Sequence, residues 1–189
     1  SERAIHNRAV LGTPSSVAGG GVVIQCIVHS RTSGVIQTVN VGRNEMQEIV
    51  INAGLGLGEG IVSGTVAADQ IVVSKEGDPE KEPLHFNYIT ADKKEYVIFN
   101  KRAGFGTIRC AAPYHQRLRP ALEYVELCEL VTKAHQLENA YGYPLDIEFG
   151  IEGTKIWILQ ARPVPAFLSA LQDTIQNHPI IGTKRSMST

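Results

Sequence analysis

The chain has 189 residues, 43% of them hydrophobic, which is enough for one real core and too few for two large domains. A formal net charge of −1, with 20% charged residues, argues against a polyanion binder. No apolar run reaches the roughly 18 residues that span a bilayer, and "SERAIHNRAV" is too polar for a signal peptide; the expectation is a soluble, cytoplasmic protein.

In chain order, residues 1–21 are polar and close on "TPSSVAGGG", which predicts a linker or cloning remnant. "GVVIQCIV" (21–28) is short, apolar and β-branched, and predicts a buried strand. "VIQTVNV" and "MQEIVIN" predict two more strands, with turns at Ser33-Gly34 and "NVGRNE", so antiparallel pairing follows. After the glycine-rich stretch 53–64, "DQIVVSK" reads as a strand. "LHFNYI" and "YVIFN" read as weaker strands among charged loops, and "KRAGFGTIRC" as a solvated loop.

One long helix is predicted next, with Pro120 in its first turn. Two stripes keep helical spacing: Leu118, Leu122, Val125, Cys128, Val131, and Leu127, Leu130, Ala134, Leu137. Gly142 suits the left-handed position that ends it. Residues 169–189 lose all pattern and are expected to be a tail or a linker to another domain. About seven strands and one main helix predict an α+β domain, mostly antiparallel, with the helix on one sheet face. Cys26, Cys110 and Cys128 show no CxxC spacing, and the six histidines are dispersed, so neither a disulfide framework nor a zinc site is expected.

"GLGLGEG" (54–60) could bring backbone amides to a phosphate through Gly54, Gly56 and Gly58. A dinucleotide fingerprint needs a following helix of a dozen or so residues and an acid some 20 residues on; here Gly64 arrives soon after, and by residue 70 the chain is extended again. A tight crossing that exploits positive φ explains the glycines equally well. Glu59, lodged among four glycines, is left unexplained by composition.

The hairpin "DIEFGIEGTKIWILQARP" (146–163) carries the sharpest signal. Parity puts Asp146 and Glu148 on one face of the first arm. It puts Ile158, Gln160 and Arg162 together on one face of the second. A solvated outer face is one reading. A metal–phosphate centre is the other, and the chemistry favours it. Mg²⁺ takes one or two carboxylates, at times an amide oxygen, and completes its shell with phosphate oxygens and water. Arginine adds a fork of donors for a phosphoryl group. A tight turn at 150–153 would set Glu148 opposite Lys155 or Ile156, so a bulge, a wide loop or strong twist is needed to bring Gln160 to it.

Three segments in line resemble the phosphoenolpyruvate synthase/pyruvate phosphate dikinase family. "YGYPLDIEFGIEGTKIWILQARPV" (141–164) is similar to its YG-x-P-x-DIEW…QARP motif, "INAGLGLGEGIVSGTVAADQIVV" (51–73) to its GLGE-x-x-V-x-G-x-V-x-x-D segment, and "VVIQCIVHSRTSGVIQTVN" (22–40) to its VVVQ-x-M-V, SGV-x-FT segment. The resemblance implies an ATP-grasp fold, with residues 22–168 as its C-terminal subdomain. It implies ATP and Mg²⁺ as cofactors: Glu148 and Gln160 on the metal and phosphates, and Arg162 as the catalytic residue on the γ-phosphate side. Gln25, with the backbone of Cys26 and Ile27, would line the adenine pocket. Glu59 and Asp146 are further candidates. The chain departs from the pattern at Ile36-Gln37, at Phe149 in place of Trp, and at Cys26-Ile27.

The family's Arg-Ser-Ser segment, and the Lys and Arg that reach the phosphates, have no match in the sequence. Neither do the phosphohistidine domain and the pyruvate-binding barrel. The resemblance therefore implies a fragment carrying half of an ATP site, inactive alone, whose partners are the N-terminal ATP-grasp subdomain and the phosphohistidine domain of the parent dikinase. Rifampicin phosphotransferases and glucan–water dikinases share the module, and a non-catalytic interaction module keeping the fold is the contrasting reading.

Overall fold

The computed structural model describes residues 22–77 and 82–165. The expected linker and tail at 1–21 and 169–189 lie outside the described residues. Six strands form one sheet: β1 (Thr32–Gln37), β2 (Glu48–Leu55), β3 (Asp69–Ser74), β4 (Phe86–Ile89), β7 (Leu145–Glu152) and β8 (Lys155–Pro163). Their spatial order is β4-β3-β2-β1-β7-β8, and every neighbouring pair is antiparallel. A separate hairpin joins β5 (Glu95–Phe99) to β6 (Thr107–Ala111). Three helices complete the described chain: α1 (Gly58–Val62), α2 (Tyr114–Arg117) and α3 (Tyr124–Tyr141). No helix among the described residues is long and apolar enough to cross a membrane.

Alternation sorts the sheet into two faces. Ile36, Ile49, Ile51, Ile71, Ile147 and Phe149 point one way and pack with Leu127, Leu130, Val131 and Ala134 of α3 in a single buried cluster. The α+β class and the helix-covered face expected from the sequence are both present. Of the two predicted helix stripes, Leu127, Leu130 and Ala134 of one face the core together with Leu122 and Val131 of the other. Leu118 and Val125 are exposed.

The helix begins later than Pro120 predicts. Glu123 caps it, accepting from the backbone of Glu126 while the Glu126 side chain accepts from the Glu123 amide, a reciprocal box that satisfies two orphan donors. Gly142 ends the helix at φ 77°, as predicted.

Two strand predictions need correction. "GVVIQCIV" forms no strand among the described residues: 22–30 pair with no ladder, and Val22, Val23 and Ile24 stand 87–97% exposed. β-branched composition describes a surface that would pack well, but a strand exists only where a neighbour completes its hydrogen bonds. Conversely, the predicted solvated loop at 101–110 runs into β6 from Thr107 on, because Thr107–Ala111 pairs with Glu95–Phe99 across the glycine-bearing turn.

At the end of β3, Asp69 and Lys93 form an ion pair with both side chains fully buried. Asp69 also accepts from the Tyr88 hydroxyl (2.9 Å) and the amides of Ala91 (2.8 Å) and Ala121 (2.7 Å). This hub fastens the segment that leads into α3 to the sheet. Burial beside the Asp69 carboxylate pushes the Tyr88 phenol well above its usual range.

Candidate nucleotide site

The hairpin register decides the site. From the turn outward, Glu152 faces Lys155, Ile151 faces Ile156, Gly150 faces Trp157 and Phe149 faces Ile158. The register then shifts, and Glu148 faces Gln160 while Asp146 faces Arg162. Leu159 is the inserted residue, a β-bulge. It reverses the phase of β8: Ile156 and Ile158 join the core side, whereas Gln160 and Arg162 turn to the other face with Glu148 and Asp146. The predicted common face for Ile158, Gln160 and Arg162 is therefore wrong in its first member, because one inserted residue flips every side chain beyond it. The same insertion supplies the convergence that an unbroken hairpin would not give.

Directly opposed residues in an antiparallel pair hold their Cβ atoms about 5 Å apart, so one ion or one bridging group can touch both Glu148 and Gln160. Neither side chain has a hydrogen-bond partner among the described residues, and Glu148 is half-buried. The next pair on this face lies two residues, about 7 Å, along the strand. There Arg162 donates from Nε (3.0 Å) and Nη2 (2.7 Å) to Asp146 Oδ2. Asp146 is 5% exposed, and its Oδ1 is buried with no partner among the described residues. The guanidinium is pinned at one edge and about half exposed at the other.

An open cavity of about 370 Å³ brings together five of the six sequence-predicted site residues: Gln25, Ile27, Glu59, Glu148 and Gln160. Cys26, Val28, Ser30, Leu57, Gly58, Thr107 and Leu159 complete its wall. Its size falls in the range of small-molecule sites, about 300–1,000 Å³. Arg162 is not on this wall. It lines a different cavity, with Asp146, Gln37 and Asn52.

The glycine-rich stretch builds part of the wall. Gly56 adopts φ 76°, and a Cβ there would strike the Val97 carbonyl, so β5 can lie against this strand end only because the residue is glycine. The Leu57 amide donates to that carbonyl (2.8 Å) and the Gly56 amide to Arg31 (2.9 Å). The stretch thus serves as a tight crossing and also sets Leu57, Gly58 and Glu59 on the cavity wall, in and beside the one-turn helix α1. Sequence reasoning missed Thr107 and Leu159. Thr107 was hidden by reading β6 as a loop, and Leu159 by its apolar type.

Among the described residues no group of three or more His, Cys, Asp and Glu side chains could hold a metal unaided. The Glu148–Gln160 pair offers one carboxylate and one amide oxygen, a partial donor set that fits a hard cation whose remaining ligands come from phosphate and water.

A family model described as the pyruvate phosphate dikinase AMP/ATP-binding domain matches residues 1–177. The chain belongs to this family. Among similar proteins, an "Uncharacterized phosphotransferase" of Bacillus subtilis is 36% identical over 76% of this chain and 16% of its own length. The phosphoenolpyruvate synthase of Pyrococcus furiosus is 35% identical over 86% of this chain and 20% of its own. A prodigiosin synthesizing transferase of Serratia marcescens is 30% identical over 87% of this chain and 17% of its own. This member of the AMP/ATP-binding domain family therefore spans about a fifth or less of the length of these relatives.

Proposed function

We propose that the cavity between residues 25–28, the α1 turn and the β7–β8 bulge is one side of a Mg·ATP site, in an ATP-grasp-type subdomain that serves phosphoryl transfer. The observation that carries this reading is the Glu148–Gln160 pair, unpartnered among the described residues, set face to face by the bulge at Leu159 within the cavity that Gln25, Ile27 and Glu59 also line. Glu148 and Gln160 would hold Mg²⁺, which when bound neutralises phosphate charge and orients the triphosphate. Gln25 and the backbone at Cys26 and Ile27 would border the adenine. Arg162, aimed by Asp146, would offer its exposed donors to the γ-phosphate side, where charge develops in the transition state.

Membership of the AMP/ATP-binding domain family supports the nucleotide, and the names of the relatives support phosphoryl transfer. A histidine in another domain of a longer, cytoplasmic dikinase is the proposed acceptor, with the N-terminal ATP-grasp subdomain closing the site. Isothermal calorimetry with Mg·ATP tests the reading. Weak binding that requires Mg²⁺ and disappears in Glu148→Ala is expected. Affinity indifferent to both Mg²⁺ and Glu148→Ala would overturn the half-site reading, and no binding at all would favour a non-catalytic interaction module.

A further inference from the structure

A second cavity, of about 380 Å³, lies against the first and shares Ser30 and Leu57 with it. Its floor is apolar, made by Leu57 and by Ile98, Phe99 and Ile108 of the β5–β6 hairpin. Ile98 and Ile108 are directly opposed across the two strands. The His29 ring meets Phe99 edge-on, with centroids 5.9 Å apart, and closes one end. At the rim, on the turn that joins the strands, stand Lys101 and Arg102. Neither side chain forms an ion pair or hydrogen bond among the described residues, whereas Arg31, Arg43, Lys75, Lys93, Arg109, Arg117 and Arg162 all meet carboxylates.

A largely apolar cavity with a few convergent polar groups at its mouth is the usual make-up of a small-molecule site. Two uncompensated cations at an apolar pocket specify the charge of what fits. An anion is attracted to the rim, its apolar body is removed from water on the floor, and Arg102 can engage a carboxylate, sulfonate or phosphate through its planar fork.

We propose that this cavity is a binding site, separate from the nucleotide site, for an organic anion with a flat apolar body, its charge held by Lys101 and Arg102 and its body lying on Leu57, Ile98, Phe99 and Ile108. Because Leu57 and Ser30 belong to both walls, the two ligands would be neighbours without overlapping.

The probe is 8-anilinonaphthalene-1-sulfonate, an apolar two-ring anion, titrated by fluorescence against the full chain. One saturable site is expected, weakened at least tenfold in the Lys101→Glu/Arg102→Glu double variant. Both residues are exposed, so circular dichroism should stay unchanged. Ile108→Trp, which fills the cavity from a position 41% exposed, should abolish the same phase. A saturating non-hydrolysable Mg·ATP analogue should leave it in place, as should Glu148→Ala, so failure of the nucleotide reading would not register here. Absence of a saturable site, indifference to the double variant and to Ile108→Trp, or displacement by the nucleotide analogue would each overturn the proposal.

Discussion

Replacing Lys93 with methionine keeps the length of the side chain and removes the ammonium that faces Asp69 in a fully buried pair. Loss of one partner from such a pair costs about 3–5 kcal/mol, because the remaining charge is left in a medium that cannot solvate it. Here Asp69 retains three neutral donors, the Tyr88 hydroxyl and the amides of Ala91 and Ala121, all at 2.7–2.9 Å. These place the cost near the lower bound, about 3 kcal/mol. In a chain of this size each kcal/mol moves Tm by about 2–4 °C, so Lys93→Met should lower it by about 6–12 °C in a thermal scan followed by circular dichroism. Adding Asp69→Asn should recover part of the loss, since the orphaned charge goes with it. A fall of less than about 2 °C in the single variant would refute the assignment of this pair as the anchor of the segment before α3.

The remaining predictions concern packing and pH. Gly34→Ala would drive a Cβ into the Asn52 carbonyl and the Phe149 ring; because the carbonyl is backbone and cannot swing away, a loss of about 2–3 kcal/mol is expected in urea unfolding. A loss below about 0.5 kcal/mol would contradict the packing of β1 between β2 and Phe149. His135 is held below its usual range by burial first and by the nearby Lys75 ammonium second. The folded form takes its proton later than the unfolded chain does. The His135 contribution is therefore fully present above the unfolded value near 6.5 and is lost as pH falls through that value toward the folded one. The difference in stability between the wild type and His135→Gln should shrink or reverse across that window and stay constant above it; a pH-independent difference would disprove the shift.

Much of the fold was legible in the residues, and the exceptions have physical causes. The β-branched runs at 35–41, 46–52 and 69–75 mark three sheet strands, although the turn expected at Ser33-Gly34 is absent: both residues pair within β1, where Gly34 gives the Phe149 ring room. Gly142 marks the helix end because a left-handed residue has few alternatives. The helix start was misplaced because Pro120 is a generic first-turn signal, whereas the Glu123/Glu126 reciprocal cap depends on two side chains folding back on the backbone. "GVVIQCIV" misled because apolar composition cannot say whether a partner strand is present, and β6 was missed because its pairing is with a segment that precedes it across two left-handed glycines, Gly104 and Gly106. At the site, residue chemistry singled out Glu148, Gln160 and Arg162, but their relation rests on one inserted leucine. Parity alone cannot reveal such an insertion, since the strand on either side of Leu159 reads as regular. It likewise gave no hint that Arg162 would sit one pair further along, clasped by Asp146.

The proposed site requires Glu148 and Gln160 to act on one ion, and a double-mutant cycle on the Mg²⁺ dependence of ATP binding tests that directly. Calorimetric titrations of Mg·ATP and of metal-free ATP would be compared for wild type, Glu148→Ala, Gln160→Ala and the double variant. If the two side chains share a metal, either substitution removes most of the Mg²⁺-dependent gain, and the double variant loses little more than Glu148→Ala alone. Additive losses, or a Mg²⁺-dependent gain that survives in the double variant, would contradict it.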